Sequence, residues 1–299
     1  MIHYKKFFYL LVVQFFIFHG YICAISDKNW IDTKEHSYLE LFLRTFFLED
    51  DFSYTLFGEK PMSFSGVIKN SLDPIENIYH LLPNCSAQLF LWKSAETFKV
   101  YREYLDQNYL CIFNENPKGT FIYFIHKKAF LKTIETNIDV FLKELGEDFT
   151  PSSFLSEILE EKKPLLEIIH YHEGILGILL GYGRHNSLLF QKKADILGRC
   201  WGYDQDIKQN AALYLCTTDR SSAIGELEYV DNKLKFFSEE CEYCPLIPVS
   251  PLCFGADNAH PETKKLKEKY SLLHKKINEA YTKFNPFEVM LKMLGILQT

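Results

Sequence analysis

The sequence has no excess of basic charge. It carries 33 Lys and Arg against 39 Asp and Glu, a formal net charge of −6. Nucleic-acid binding is driven by Lys and Arg neutralising phosphates, so an acidic chain without a basic stripe argues against it. There is no GxxxxGK followed by Ser or Thr, which excludes a Walker phosphate loop. There is no GxSxG and no HExxH, so two common hydrolase signatures are missing. Past the first residues no segment is long and apolar enough to cross a bilayer, which takes about 20 apolar residues. Internal repeats and low-complexity tracts are also lacking.

What is present begins at the N-terminus. MIHYKK is basic, FFYLLVVQFFIF is apolar, and HGYICA ends in the small residue Ala24. That layout is a secretory signal peptide over residues 1–24. The expected mature chain, residues 25–299, is one soluble domain, or two lobes of one, outside the cytoplasm. It would be periplasmic, envelope-associated or secreted. Losing Lys5 and Lys6 and no acid takes the charge from −6 to −8. Cys23 raises the alternative of a lipoprotein anchor, but Tyr21 and Ile22 before it match that signal poorly.

The periodicity is mostly helical. In HSYLELFLRTFFLED, Leu39, Phe42, Leu43, Phe46 and Phe47 share one stripe. DFSYTLFGEKPMSFSGV reads as two short strands and a turn, and DPIENIYHLL as a helix capped by Asp73. AQLFLWKSAETFKVYREYLDQ reads as helix, and YLCIFNENPKGTFIYFIHKK as two strands. AFLKTIETNIDVFLKELG is a long helix stopped by Gly146, followed by one that opens at Thr150-Pro151. IGELEYVDNKLKFFSEE reads as a hairpin turning at Asp231-Asn232. CPLIPVSPLCFGADNAHPE reads as ordered coil. TKKLKEKYSLLHKKINEAYTKF is a basic amphipathic helix with Leu266, Tyr270, Leu273 and Ile277 on one stripe, and NPFEVMLKMLG a short last one. The fold expected is α+β: a helix-dominated globular domain with short antiparallel strands and a buried central glycine-rich helix.

That helix is read in HYHEGILGILLGYGRHN, His170 to Asn186. A dinucleotide loop needs GxGxxG, and the third glycine place holds Asn186. Placed on a helix at about 100° per residue, Pro164–Gly181 puts Leu165, Ile168, Ile169, His172, Ile175, Leu176, Leu179 and Leu180 on one face. Glu167, His170, Tyr171, Gly174 and Gly181 fall opposite. The flat glycine side invites a close neighbouring backbone, at a cost of about 1 kcal/mol per helical glycine. His172 is expected in the core. Glu167, His170 and Tyr171 sit at i, i+3 and i+4 and form the candidate acid/base group. Arg184, His185 and Asn186 open the next helix, where an anion can bind, with Asn186 or Ser187 as its cap.

Seven of the eight cysteines follow Ala24, an odd number that leaves at least one thiol unpaired within the chain. Cys241, Cys244, Cys253 and His260 supply four potential zinc ligands, but their spacing is irregular. No cofactor is expected, with zinc as the alternative.

YTLFGEKP at 54–61, LGILLGYGRHN at 176–186 and PETKKLKEKY at 261–270 resemble a group of exported proteins from chlamydia-like intracellular bacteria. The resemblance touches both halves of the mature chain. It implies export and one architecture. No activity attaches to the group, so no catalytic residue carries over. The expected function is non-enzymatic binding of a protein partner or small ligand at the envelope or host interface. The alternative is a hydrolase-like enzyme with a cleft near Glu167, His170, Tyr171, Arg184 and His185.

Overall fold

The computed structural model describes residues 33–68, 83–117, 119–201, 220–238 and 249–297. The expected signal peptide with Cys23, the Asp73-capped helix, and Cys241 and Cys244 lie outside the described residues. The fold is α+β and helix-dominated, as the periodicity implies. No helix among the described residues is long and apolar enough to cross a membrane.

At the centre is a three-stranded antiparallel sheet in the order β1-β3-β2, with β1 at Met62–Ile68, β2 at Tyr109–Asn116 and β3 at Gly119–His126. The period-2 alternation of β2 and β3 faces two cores. Cys111, Phe113, Ile122 and Phe124 enter one, and Ile112, Tyr123 and Ile125 enter the other.

The first core is covered by α1 (Thr33–Leu43) with its π-helical continuation Arg44–Glu49, α2 (Phe52–Leu56) and α3 (Pro83–Tyr101). The stripe Leu39, Phe42, Leu43, Phe46 and Phe47 is buried as expected. Of the two strands expected in DFSYTLFGEKPMSFSGV, the second is β1 and the place of the first is taken by the short helix α2. Phe52–Leu56 are all buried, so the segment has no polar face for periodicity to reveal. The second core is covered by α4 (Lys127–Thr136), α5 (Ile138–Leu145), α6 (Pro151–Leu159), α7 (Leu165–Ile168) and α8 (Glu173–Leu179). The expected single helix to Gly146 breaks at Asn137, whose side-chain amide donates to Thr133 O at 2.8 Å. Thr150 caps α6 through a capping box with Ser153, and Pro151 is its first residue.

The glycine-rich segment departs most from its helical wheel. Instead of one helix over Pro164–Gly181, α7 and α8 are joined by a turn in which His170 and Tyr171 both adopt left-handed backbone, φ 54° and 55°. Tyr171 N donates to Leu166 O across that turn. His172 is not a core residue. It caps α8, its Nδ1 accepting from Ile175 N at 3.0 Å, and its Nε2 lies 3.6 Å from Glu144. The flat glycine side does admit a neighbour: a Cβ on Gly177 would stand 2.7 Å from Ser187 Oγ and 3.4 Å from its Cα, on α9 (Arg184–Trp201).

The chain then forms α10 (Arg220–Lys233), where the sequence suggested a hairpin. Val230 is buried while Glu228 and Tyr229 are exposed, a helical pattern. The strand after it, β4 (Lys235–Ser238), pairs with β5 (Cys253–Ala256), inside the stretch expected to be coil. The helix α11 (Pro261–Lys283) buries Tyr270, Leu273 and Ile277, with Leu266 half-buried, and α12 (Pro286–Met293) closes the first core.

Candidate functional site

Arg184, His185 and Asn186 meet at a junction of α8, α9, β5 and α11. Gly181 and Gly183, with φ of 78° and 84°, bend the chain out of α8 and into α9. The first turn of α11 clamps this bend. Glu262 Oε1 accepts from Arg184 N at 2.9 Å and Oε2 from His185 N at 2.7 Å. The exposed amides and dipole of a helix N-terminus attract an anion. Here the protein's own carboxylate takes that place. The expectation of an external anion at this helix start is corrected accordingly.

The side chains are engaged as well. Arg184 grips Asp139 bidentately, both contacts at 2.6 Å, and this hydrogen bonding holds the Asp139 carboxyl below its usual range. Asn186 is buried inside the first turn rather than at the cap. Its Oδ1 accepts from Asp257 N and Thr263 Oγ1, both at 3.0 Å, and its Nδ2 donates to Tyr182 O. The His185 ring stacks on His260 with centroids 3.6 Å apart and planes at 6°, and its Nε2 lies 3.3 Å from Asp257 Oδ2. Lys233 approaches the same oxygen at 3.2 Å. Burial alone would raise the Asp257 carboxyl, but the hydrogen bonds from His185 and Lys233 outweigh it and hold it low. Tyr270 OH donates to Gly181 O at 2.8 Å and ties the bend to the middle of α11.

A groove runs beside this junction between α4, the 58–61 turn and α11. Its walls carry Lys128, Lys132, Lys269 and His126, and Gly58, Gly181 and Gly183 lie along it. His126 caps α4, Nδ1 accepting from Ala129 N at 3.1 Å, and burial lowers its pKa. Lys269 donates to Glu59 O at 2.5 Å, and burial lowers its pKa too, helped by the nearby Lys132 charge. Lys128 and Lys132 are exposed and make no ion pair or hydrogen bond among the described residues.

The other sequence candidates stand apart. Glu167, within α7, and His170 and Tyr171, on the turn between α7 and α8, are exposed. Their side chains make no hydrogen bond or ion pair among the described residues, and they line neither this groove nor the one beside His185 and His260. The broken helix removes the i, i+3, i+4 register that would have brought them together. Of the four potential zinc ligands, Cys253 is exposed, its Sγ 3.4 Å from Pro251 O. His260 caps α11 by accepting from Glu262 N at 3.3 Å. No group of three or more metal-ligating side chains occurs among the described residues.

Sequence reasoning missed Glu262, Asp257 and the two α4 lysines. The His260-Pro261-Glu262 start of α11 carried a signal, since an N-cap, a proline and an acid together mark a helix N-terminus. It also missed Lys60, which is fully buried. Its Nζ contacts Asp51 Oδ2 at 2.8 Å, Met62 O at 2.7 Å and Ser63 Oγ at 3.3 Å. Comparison with known proteins finds no matching family model, no similar curated protein and no matching solved structure.

Proposed function

We infer that this is an exported, non-enzymatic protein that binds a protein partner or small ligand at the cell envelope or host interface. The N-terminal basic-apolar-small pattern and the resemblance to exported proteins support export. The observation that carries the binding reading is how the charged side chains are used. Of the side chains a hydrolytic cleft would need, Arg184 and His185 are engaged in holding the fold, on Asp139 and Asp257, and Glu167, His170 and Tyr171 stand apart from them. Two lysines of the neighbouring groove, Lys128 and Lys132, face outward and make no ion pair among the described residues. Hydrolysis remains the second reading because His185 is oriented by a carboxylate, as a general base is.

Two measurements test this. Mass spectrometry of exported material is expected to show a chain starting at Cys23 or just after Ala24, and retention of MIHYKKFF would refute export. The purified protein is expected not to turn over chromogenic esters, phosphate esters or glycosides. Turnover that disappears in His185→Ala, with melting unchanged, would establish the enzyme instead.

A further inference from the structure

We propose that the groove between α4 and α11 is a docking surface for an acidic segment of a partner protein lying extended along α4. The proposal rests on the binding reading above and names its partner. Lys128 and Lys132 stand one helical turn apart, a rise of about 6 Å, and both are exposed without a counter-charge among the described residues. Alternate side chains of an extended chain point the same way at a spacing of about 6.6 Å. A segment with acids at every second position therefore presents its carboxylates in register with the two ammonium groups. Lys269 lies across the groove on α11 with its charge shared with Glu59, and Thr133, next to Lys132, also lines the groove.

The negative groups of the groove do not cancel this charge. Glu262 is spent on the Arg184 and His185 amides, and Glu59 faces Lys269 at 3.8 Å. The one guanidinium present, Arg184, is committed to Asp139, so planar bidentate capture of a lone phosphate or carboxylate is not what the groove provides. What it provides is point charges on flexible stems in a space of about 620 Å³, more than a single small anion fills.

The test uses the full mature chain and a fluorescein-labelled decapeptide of alternating Glu and Thr, read by anisotropy. Saturable binding is expected, lost with Gln in place of Glu. It should weaken at least about tenfold in Lys128→Glu/Lys132→Glu and stay unchanged in Lys283→Glu, at the far end of α11. Both α4 lysines are exposed, so the variants should melt like wild type. Equal binding of the Gln peptide, no effect of the double reversal, or no binding at all would overturn the proposal. So would displacement by submillimolar inorganic phosphate, or tighter binding of a single-stranded oligonucleotide. Mass spectrometry of the peptide after incubation separates the two levels of claim. A cleaved peptide overturns the binding reading itself, whereas an intact but unbound one overturns only the groove assignment.

Discussion

The two faces of the β1-β3-β2 sheet are packed by different means. The first core is aromatic and draws on distant parts of the chain, joining residues 39–56 to 249–294. Phe42 stacks on Phe98 with centroids 4.1 Å apart, and Phe52 and Tyr109 both stack on Phe124. Each fully buried ring contributes on the order of 2–3 kcal/mol. The second core is built almost wholly from residues 110–180 with Met62, and its helices are short, with a glycine contact between α8 and α9. They also differ in polar chemistry. On the first face Ser53 Oγ meets Tyr281 OH, and Tyr54 OH meets His274 Nδ1, each at 2.7 Å. On the second, Tyr123 OH is buried without a partner among the described residues. A core assembled across long loops uses polar pairs that specify which segments meet. A core of neighbouring helices relies on shape.

The largest effect is expected at the seam. Lys60 lies near Tyr182, whose ring packs against both cores. Replacing Lys60 by Met leaves the Asp51 carboxylate facing the interior alone. Loss of one member of a buried pair typically costs about 3–5 kcal/mol. Urea unfolding measures it, and a cost under about 1 kcal/mol would mean that the pair is open to water.

Next comes the glycine packing of the second face. Gly181→Leu forces a side chain into left-handed backbone, and its Cβ would stand 2.5 Å from Tyr270 OH and 2.8 Å from Pro61 Cδ. Overpacking costs about 1–3 kcal/mol, and the backbone strain adds about 1–3 more. Gly174→Leu should cost less, because its nearest obstacle is the His172 ring at 2.9 Å, a side chain able to swing away. A reversed order in thermal melts would show that the α8–α9 contact, not the bend, is the rigid part.

Acid should weaken both faces. Burial lowers the pKa of His274 on the first, and burial foremost lowers that of His126 at the edge of the second. With folded values below the unfolded one, the unfolded chain takes up protons first as pH falls. Stability is therefore complete above about pH 6.5 and is lost as pH drops through the folded values. Protonated His126 also loses the acceptor that caps α4. The expected result is a melting temperature that declines between about pH 7 and pH 5, less steeply in His274→Asn. A flat profile would contradict both assignments.

The smallest effects make the sharpest contrast. Tyr281→Phe removes a buried hydrogen bond from the first face and should cost about 1 kcal/mol. Tyr123→Phe removes a buried hydroxyl without a described partner, so it should cost nothing or stabilise slightly. Equal losses would erase the difference in polar packing drawn between the two cores.

Amphipathic stripes and end signals were legible because they are local. The α1 stripe, the β2–β3 pair, the Thr150-Pro151 start, the Gly146 stop and the α11 stripe each follow from side-chain spacing or from the backbone needs of one residue. Reading failed where local pattern was weak or shared by two structures. Phe52–Leu56 is buried all round and carries no period. The ELEYV of α10 alternates like a strand yet turns as a helix. The α7–α8 break rests on left-handed backbone at His170 and Tyr171, residues that do not announce it. Of the candidate site, Arg184, His185 and Asn186 were found, but not that Glu262 and Asp257 hold them.

By itself the sequence determined the α+β class and most helix and strand positions, because these depend on period and capping over a few residues. Tertiary structure alone decided which charges are spent and which are free. Glu262 lies 78 residues from Arg184, Asp257 is 72 from His185, and Arg184 is 45 from Asp139. An ion pair's strength depends on distance and on exclusion of water, and neither is encoded by neighbours in the chain. That is why Arg184 read as a binding residue and proved a strut, while Lys128 and Lys132, ordinary in the sequence, are the charges left facing outward.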